Sequence, residues 1–382
     1  MYDFLNTLSG LIWGPITLIL ILGTGIFLSL GLKGFTFTYI LVAFKQIFKK
    51  DEKATDGEIT SFQSLTTALS ATVGTGNIAG VATAIYIGGP GAVFWMWVSA
   101  LFGMATKYAE AFLAIKYREK NANGETVGGP MYYIKNGLSK NYIIFAYLFA
   151  LAGMIAALGI GNGVQVNSVS QVIESEFGIS AFTVGIFIAL LVALVILGGI
   201  KSIGKITSKL VPLMSAIYIL GGLWIIVLNY TEVTYIFNLI TTSAFTSTAA
   251  TGGFAGATVW MALRYGVARG VFSNEAGLGS SPIAHAAANT NNPAKQGMIS
   301  MLEPLIDTLI VCTITAFVIL MSNLWIGEIN GAVLTVASFE QLLSNGKYIV
   351  IFGLILFSFS TIIGWSYYGE KCAEFLFGSQ II

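Results

Sequence analysis

Two glycine-rich stretches place polar residues inside otherwise apolar segments of this 382-residue chain. In the first, 70–80, Gly74 and Gly76 bracket Thr75; the second is 270–280, which contains an acidic residue. Glycine destabilises a helix by about 1 kcal/mol relative to alanine, so both stretches favour an unwound turn, predicted near 74–77 and near 273–279. Non-helical backbone inside a membrane is tolerated only where it lines a cavity or is buried in protein. Close packing of helices through small residues is the alternative interpretation of either stretch alone.

An unwound turn in the first stretch would expose two kinds of helix end. The half-helix that begins near Thr75 presents free N–H groups and a positive dipole end, which can hold a carboxylate. The half-helix that ends near Val73 presents free carbonyl groups and a negative end, which suit a small hard cation. The chemistry expected here is therefore the binding of a small molecule and an ion.

The elements that must position these residues are membrane helices, because 55% of the residues are hydrophobic and only 10% are charged. Lipid offers no partner for open backbone, so each apolar segment is predicted to be helical. Two of the segments, 143–172 and 252–288, exceed the roughly 20 residues that a span requires and are predicted to be tilted, kinked or broken. A further stretch, 331–343, is predicted to be a short surface helix. The nine segments are 11–32, 60–87, 93–115, 143–172, 181–200, 210–229, 252–288, 298–321 and 348–377.

Basic residues predict the orientation of the chain in the membrane. With the N-terminus outside, fifteen of the 19 Lys and Arg residues fall on the cytoplasmic side. They are Lys33, Lys45, Lys49, Lys50, Lys53, Lys116, Arg118, Lys120, Lys135, Lys140, Lys201, Lys205, Lys209, Lys295 and Lys371. Lys347 falls outside, and Lys107, Arg264 and Arg269 lie at membrane depth. The two glycine-rich segments then run in opposite directions, and such paired, inverted interruptions are typical of the binding site of a transporter.

Several classes of function are disfavoured by composition. A net charge of +1 leaves no footprint for nucleic acid. Cys312 and Cys372 lack metal-ligand spacing and are interpreted as core residues. The single histidine, His285, is interpreted as a helix-packing residue. No cluster of His, Cys and carboxylates indicates a membrane enzyme, and no repeated filter loop indicates a channel.

Eight motifs, spread in order from about residue 10 to residue 377, resemble the alanine or glycine:cation symporter family of the amino acid–polyamine–organocation superfamily. The motifs are FQSLT (62–66), GTGNIAG (74–80), GGPG (88–91), GMATKYAE (103–110), GGPMY (128–132), GGIK (198–201), GVFSNEAGLG (270–279) and GWSYYGE (364–370). The resemblance implies an all-α, polytopic membrane protein with the leucine-transporter-like fold, in which two broken helices begin inverted five-helix repeats.

The resemblance also implies a division of the single transmembrane domain, 1–382. A leading helix and cytoplasmic loop would occupy 1–58, the first repeat 59–230 and the second repeat 231–382. The second repeat should have five helices, whereas only three apolar segments follow residue 250. We therefore expect a truncated second repeat.

The function implied by the resemblance is secondary active symport of small neutral amino acids, alanine and glycine and with them D-alanine, coupled to Na⁺ by alternating access. Coupling to H⁺ instead, and a non-transporting membrane sensor of amino acids, are the alternatives. The chain would lie in the plasma membrane of a prokaryotic cell, and we expect a monomer whose partners are its substrate and lipid.

Within this framework the residues around the two interruptions become candidate ligands. The candidates for a substrate carboxylate are the amides of Thr75, Gly76 and Asn77, and those for its ammonium are Phe272, Ser273 and Asn274. Gln165 can donate to and accept from a zwitterion; an interhelical hydrogen bond is its alternative role. Trp365 could close a small pocket, or simply pack between helices.

The candidate Na⁺ ligands are the carbonyls of Ser70 and Val73 with the hydroxyls of Ser360 and Thr361. These match the most widespread sodium site of the superfamily. The alternative is that each hydroxyl bonds within its own helix.

Charged residues at membrane depth are functional candidates by default. Arg269 and Glu275 are predicted to form an ion pair, either moving during gating or static. Glu303 and Asp307, four residues apart, are interpreted as an inner-gate salt bridge or a proton relay. Lys107 and Glu110 are expected to form a structural network.

Overall fold

A computed structural model describes residue 10 and residues 12–49, 57–248 and 256–378. Lys50, Lys53 and the start of the predicted segment 252–288 lie outside these residues. In chain order the helices are α1 (Pro15–Gly31), α2 (Phe35–Thr38), α3 (Ile40–Ile47), α4 (Ser61–Thr72), α5 (Gly76–Gly88), α6 (Gly91–Lys116), α7 (Pro130–Gly137), α8 (Lys140–Phe177), α9 (Ala181–Ile196), α10 (Gly199–Leu228), α11 (Val233–Ser243), α12 (Val259–Asn274), α13 (Pro282–Ala286), α14 (Pro293–Ser322), α15 (Gly331–Leu342) and α16 (Lys347–Phe377). A two-stranded antiparallel ribbon, β1 (Glu119–Lys120) and β2 (Thr126–Val127), follows α6.

The chain is an all-α, polytopic membrane protein, as predicted. Five described helices are long and apolar enough to cross a membrane, and α4 with α5 forms a sixth span if the bent pair is counted as one. Each of the nine predicted segments overlaps at least one described helix. The inverted five-helix repeats, and the divisions after residues 58 and 230, stay a prediction.

The ends of the long helices differ from the predicted ends where polar residues interrupt the hydropathy. Helix α10 begins at Gly199 rather than near residue 210, because a helical turn can carry Lys201, Lys205 and Lys209 without losing its backbone hydrogen bonds. Helix α8 is continuous over 38 residues, and a π-helical stretch, Ala157–Gly163, is its local irregularity. Hydropathy depends on contact with lipid, and a helix can continue beyond the lipid. It therefore predicts the position of a membrane span better than the residues at which the helix begins and ends.

Helix α15 was predicted to lie on the surface, and this prediction was wrong for one of its faces. Leu334, Thr335 and Phe339 are fully buried. The Thr335 hydroxyl donates to the carbonyl of Ile78 in α5 (3.1 Å). The helix therefore forms part of the wall around the first broken span.

The outer surface is apolar where a membrane would lie. On α9, Phe182 is 79% exposed and Leu197 is 85% exposed, and α1 exposes Ile16 and Leu30 in the same way. Inside, helices approach closely through glycine. A Cβ on Gly103 would lie 2.8 Å from that of Ala276, so the glycine lets α6 pack directly on the segment after α12.

The segment before α4 is joined to the segment after α13 by backbone pairing. Ile59 and Ala288 form an isolated parallel bridge. The amides of Glu58 and Ile59 donate to the carbonyl of Ala287 (2.9 and 3.2 Å), and the amide of Asn289 donates to the carbonyl of Ile59 (2.7 Å). These bonds connect the ends of the two broken helices on one face of the protein.

Candidate binding site at two broken helices

The first break lies between α4 and α5, which are inclined by 49° to each other. Helix α4 ends at Thr72, and Val73 is extended. The side chain of Asn77 closes the turn, because its Oδ1 accepts from the amide of Gly74 (2.8 Å). The break is shorter than the predicted 74–77, since a π-helical stretch, Gly76–Gly80, resumes the helix almost at once.

Glycine is required at residue 74 by close approach rather than by its dihedral angles. A Cβ there would overlap the Thr361 hydroxyl oxygen and would lie 3.3 Å from Gln165 Oε1. The unwound backbone is therefore in direct contact with α16 on one side and α8 on the other.

The second break follows α12. The prediction put it at 273–279, but Ser273 and Asn274 remain helical and the irregular segment begins at Glu275, which is left-handed (φ 56°). Gly277 and Gly279 also have positive φ (88° and 76°), which only glycine adopts without strain. The chain resumes helical structure at α13.

The two breaks lie against each other. A Cβ on Gly76 would be 3.1 Å from the Cα of Ser273. Asp307 joins them from α14: its Oδ1 accepts from Asn77 Nδ2 (2.7 Å) and from the Ser273 hydroxyl (3.1 Å), and its Oδ2 accepts from Thr308 Oγ1 (2.7 Å). All these side chains are fully buried. The sequence analysis placed Asp307 near a gate and missed this junction.

Gln165 reaches the first break from α8. Its Oε1 accepts from the amide of Thr75 (3.2 Å), and its Nε2 donates to the carbonyl of Ile160 (3.3 Å). The interhelical hydrogen bond foreseen as the alternative role is therefore present. The bond also shows that the Thr75 amide can donate to an acceptor outside its own helix.

Phe272 and Trp365 were both expected to line one pocket, and the structure places them in two different clefts. The Phe272 ring lies 5.7 Å from the guanidinium of Arg269. Trp365 is buried against Gly161. Ile160 lines both clefts. The two rings thus stand on either side of the same π-helical stretch of α8.

The four predicted cation ligands come together between α4 and α16. Ser360 Oγ lies 3.4 Å from the carbonyl oxygen of Ser70, and Thr361 Oγ1 lies 3.4 Å from that of Val73. Ser360 also donates to Phe357 within its own helix (2.9 Å), so the alternative role holds for that hydroxyl as well. All four residues are buried.

The expected ion pair between Arg269 and Glu275 is wrong for the part of the chain that the structure describes. Arg269 stacks on Phe272, whereas the Glu275 carboxylate accepts from the Ser280 hydroxyl. The reason is the backbone: the left-handed residue at 275 ends the helix, so spacing along α12 no longer determines where the carboxylate points.

A buried ion pair forms instead below the second break. Lys107 Nζ lies 2.8 Å from Glu303 Oε2 and 2.7 Å from Ser281 Oγ, with both charged side chains fully buried. Glu303 Oε1 also lies 2.5 Å from His285 Nε2, whose Nδ1 faces Gln296 Nε2 (2.6 Å). His285 is thus part of a polar network and does more than fill space between helices. A gating role for Glu303 stays a prediction.

Comparison with known proteins agrees with this geometry. The model of the sodium:alanine symporter family matches residues 1–382. The chain belongs to the sodium:alanine symporter family. It is therefore an amino-acid:cation symporter and a multi-pass membrane protein, and its family is one of transporters and not of enzymes.

The names of relatives in this family differ in the coupling ion and the substrate that they state. The chain is 51% identical to the sodium/alanine symporter AgcS of Methanococcus maripaludis, over 99% of this chain and 84% of that protein. It is 39% identical to a putative sodium/proton-dependent alanine carrier, YrbD of Bacillus subtilis, over 98% and 79%. It is 38% identical to the probable sodium/glutamine symporter GlnT of Bacillus subtilis, over 96% and 76%.

Proposed function

We propose that this symporter imports small neutral amino acids, alanine and glycine, together with Na⁺. The observation that supports the ion most directly is the set of four oxygens from Ser70, Val73, Ser360 and Thr361. It lies at the C-terminal end of α4, where the helix dipole favours a cation. Import by alternating access would open this site to each face of the membrane in turn.

The spacing of the oxygens fits an ion of the size of Na⁺. Oxygen ligands lie about 2.4 Å from a cation of this radius, so two ligands at a right angle are about 3.4 Å apart. That is the separation between each hydroxyl and its facing carbonyl. The four ligands are neutral, which favours a monovalent ion, because divalent sites generally recruit carboxylates. Among the described residues no group of three His, Cys, Asp or Glu could hold a metal ion.

The substrate would bind one turn away, at the start of α5. A carboxylate oxygen in the position of Gln165 Oε1 would accept from the Thr75 amide, at the positive end of the half-helix. Ser273 faces this turn across the break, and it and the neighbouring Asn274 are the candidates for the ammonium. Gly74 and Gly76 are packed tightly against Thr361 and Ser273, so little room remains for a large side chain.

Proton coupling is the second candidate, and Asp307 is the observation that favours it. The carboxylate is fully buried at the junction of both breaks, and the described residues give it neutral hydrogen-bond donors and no ion pair. Carboxylates buried within membrane spans are typical members of proton relays in transporters. A proton bound there would respond to any movement of Asn77 or Ser273.

Uptake of labelled alanine into proteoliposomes distinguishes the two ions. We expect uptake to require an inward Na⁺ gradient and to persist when the pH gradient is abolished. The double variant Ser360→Ala, Thr361→Ala should raise the Na⁺ concentration for half-maximal uptake at least tenfold, since two of the four ligands are lost. Ser366→Ala is the matched control, because that hydroxyl bonds within its own helix (2.7 Å). Unchanged Na⁺ activation in the double variant would remove the assignment.

Competition against labelled alanine tests the substrate class. Glycine, L-alanine and D-alanine should compete, because a methyl group fits on either face of the α-carbon in a small site. Leucine should fail on size, and alaninol should fail because the Thr75 amide would lose its carboxylate partner in a buried site. Strong competition by leucine or alaninol would show that the pocket is interpreted wrongly.

A further inference from the structure

A further cleft opens between the residues just before α1, the π-helical stretch of α8 and the middle and C-terminal turns of α12. Its volume is about 240 Å³. It is lined by Trp13, Ile160, Arg264, Tyr265, Ala268, Arg269 and Phe272. Phe272 is followed directly by Ser273, so the cleft lies next to the junction of the two breaks.

The two arginines are the unusual feature of this cleft. Arg264 lies 5.6 Å from the ring of Tyr265, and Arg269 lies 5.7 Å from the ring of Phe272. Neither forms a salt bridge with any carboxylate in the described ranges, whereas Lys107 on α6 is paired with Glu303. Arg269 stands ten residues into α12, which corresponds to about 15 Å along the helix axis.

A charge at this depth is expected to have a partner. Arginine within a membrane protein is costly unless it meets an anion or water, and such residues mark binding sites and pathways. A guanidinium can bind one carboxylate through two parallel hydrogen bonds. The aromatic rings hold both guanidinium groups in place while leaving their N–H donors available, because stacking uses the flat face of the group.

We propose that Arg269 and Arg264 form an entrance site that binds the carboxylate of an amino acid before it reaches Ser273 and the break. This rests on the proposed function, and it adds a second site that Thr75 and Gln165 do not provide. The cleft would take any small carboxylate, because none of the described residues that line it is acidic and could select for an ammonium. An anionic lipid headgroup offers the same chemistry, and the experiment must distinguish the two sources.

Propionate, which is alanine without its ammonium, is the probe. Calorimetry on the purified protein in a neutral detergent should show propionate binding, and Arg269→Gln should weaken it at least tenfold. Arg264→Gln should weaken it less, and Arg269→Lys should be intermediate because lysine retains charge without the bidentate geometry. Lys347→Gln is the matched control: its charge is exposed and paired with Glu176 outside the cleft (2.7 Å). Ser273→Ala should leave propionate binding intact.

Uptake in liposomes of neutral phosphatidylcholine gives the second readout. Arg269→Gln should raise the KM for alanine about tenfold and change kcat less than twofold, since the lost contact precedes translocation. Failure of the wild type to bind propionate, or equal binding by the wild type and both glutamine variants, would overturn the entrance site. So would an arginine dependence that appears only when phosphatidylglycerol is added, which would assign the cleft to lipid.

The outcomes separate this site from the proposed function. A wild type that binds propionate through Arg269 but imports no alanine would contradict the proposed substrate and leave an anion site. A wild type that imports alanine with no effect of Arg269 would contradict the entrance site alone. If Arg269→Gln elutes as an aggregate, Arg269→Lys and Arg264→Gln decide: weaker propionate binding than the wild type in both supports the site, and wild-type binding in both overturns it.

Discussion

At the scale of single residues, Lys107 is the most informative charge in the protein. It is fully buried, and Glu303 is its ion-pair partner (2.8 Å). Replacing Lys107 by methionine would leave the buried Glu303 carboxylate without its lysine partner, and breaking a buried ion pair destabilises a protein by about 3–5 kcal/mol. We expect a marked drop in the midpoint of thermal unfolding of purified Lys107→Met.

The matched control is Lys135→Met. Lys135 also lies 2.7 Å from a carboxylate, that of Glu119, but both side chains are exposed (42% and 34%), so the change should stay below about 1 kcal/mol. The double variant Lys107→Met, Glu303→Met should recover part of the loss, since no unpaired charge remains. Equal midpoints for Lys107→Met and Lys135→Met would contradict this account of the buried pair.

At this scale, distant residues were placed together where the resemblance to a known family supplied the pairing, and contacts were missed or wrong where spacing along the sequence was the only guide. The hydroxyls of Ser360 and Thr361 do face the end of α4. The pairing of Lys107 with Glu303 spans 196 positions, and no local pattern encodes that distance. Arg269 and Glu275 were paired on the assumption of a continuous helix, which the left-handed residue at 275 invalidates.

At the scale of elements, the first broken helix depends on close approach at one glycine. Gly74→Ala should abolish transport, because its Cβ would overlap Thr361 and crowd Gln165. Gly80→Ala, six residues later, should be tolerated, since the nearest atom to that Cβ would be 3.9 Å away. Initial rates of alanine uptake, normalised to protein in the liposomes, provide the measurement. Loss of uptake in both variants, or in neither, would contradict a specific requirement for glycine at residue 74.

Hydropathy was enough to find every long helix, but it could not find the irregular ones. Three π-helical stretches, Gly76–Gly80, Ala157–Gly163 and Leu305–Cys312, adjoin the candidate site. A π-helical turn arises from one extra residue accommodated by tertiary contacts, so apolar periodicity carries no signal for it. The burial of α15 was missed for a related reason: its partner, the carbonyl of Ile78, lies far away in the sequence.

At the scale of the whole molecule, the distribution of basic residues predicts that the N-terminus lies outside. Cysteines introduced at Lys135 and Lys347 test this, because both side chains are accessible and the prediction places them on opposite sides. A membrane-impermeant maleimide should label Lys347→Cys in intact cells and Lys135→Cys only after permeabilisation. Cys312 and Cys372 are both buried, so the unsubstituted protein should stay unlabelled. The reverse pattern would invert the topology.

The backbone bridge between Ile59 and Ala288 lowers the population of conformations in which the two bridged segments separate. Three amide hydrogen bonds join the segment before α4 to the segment after α13. A net value of about 1 kcal/mol for each bond gives about 3 kcal/mol in all, a bias on the order of a hundredfold against states that part these segments. The amides of Glu58, Ile59 and Asn289 should therefore exchange their protons slowly, and the ligand that accelerates their exchange would be the one that opens this face.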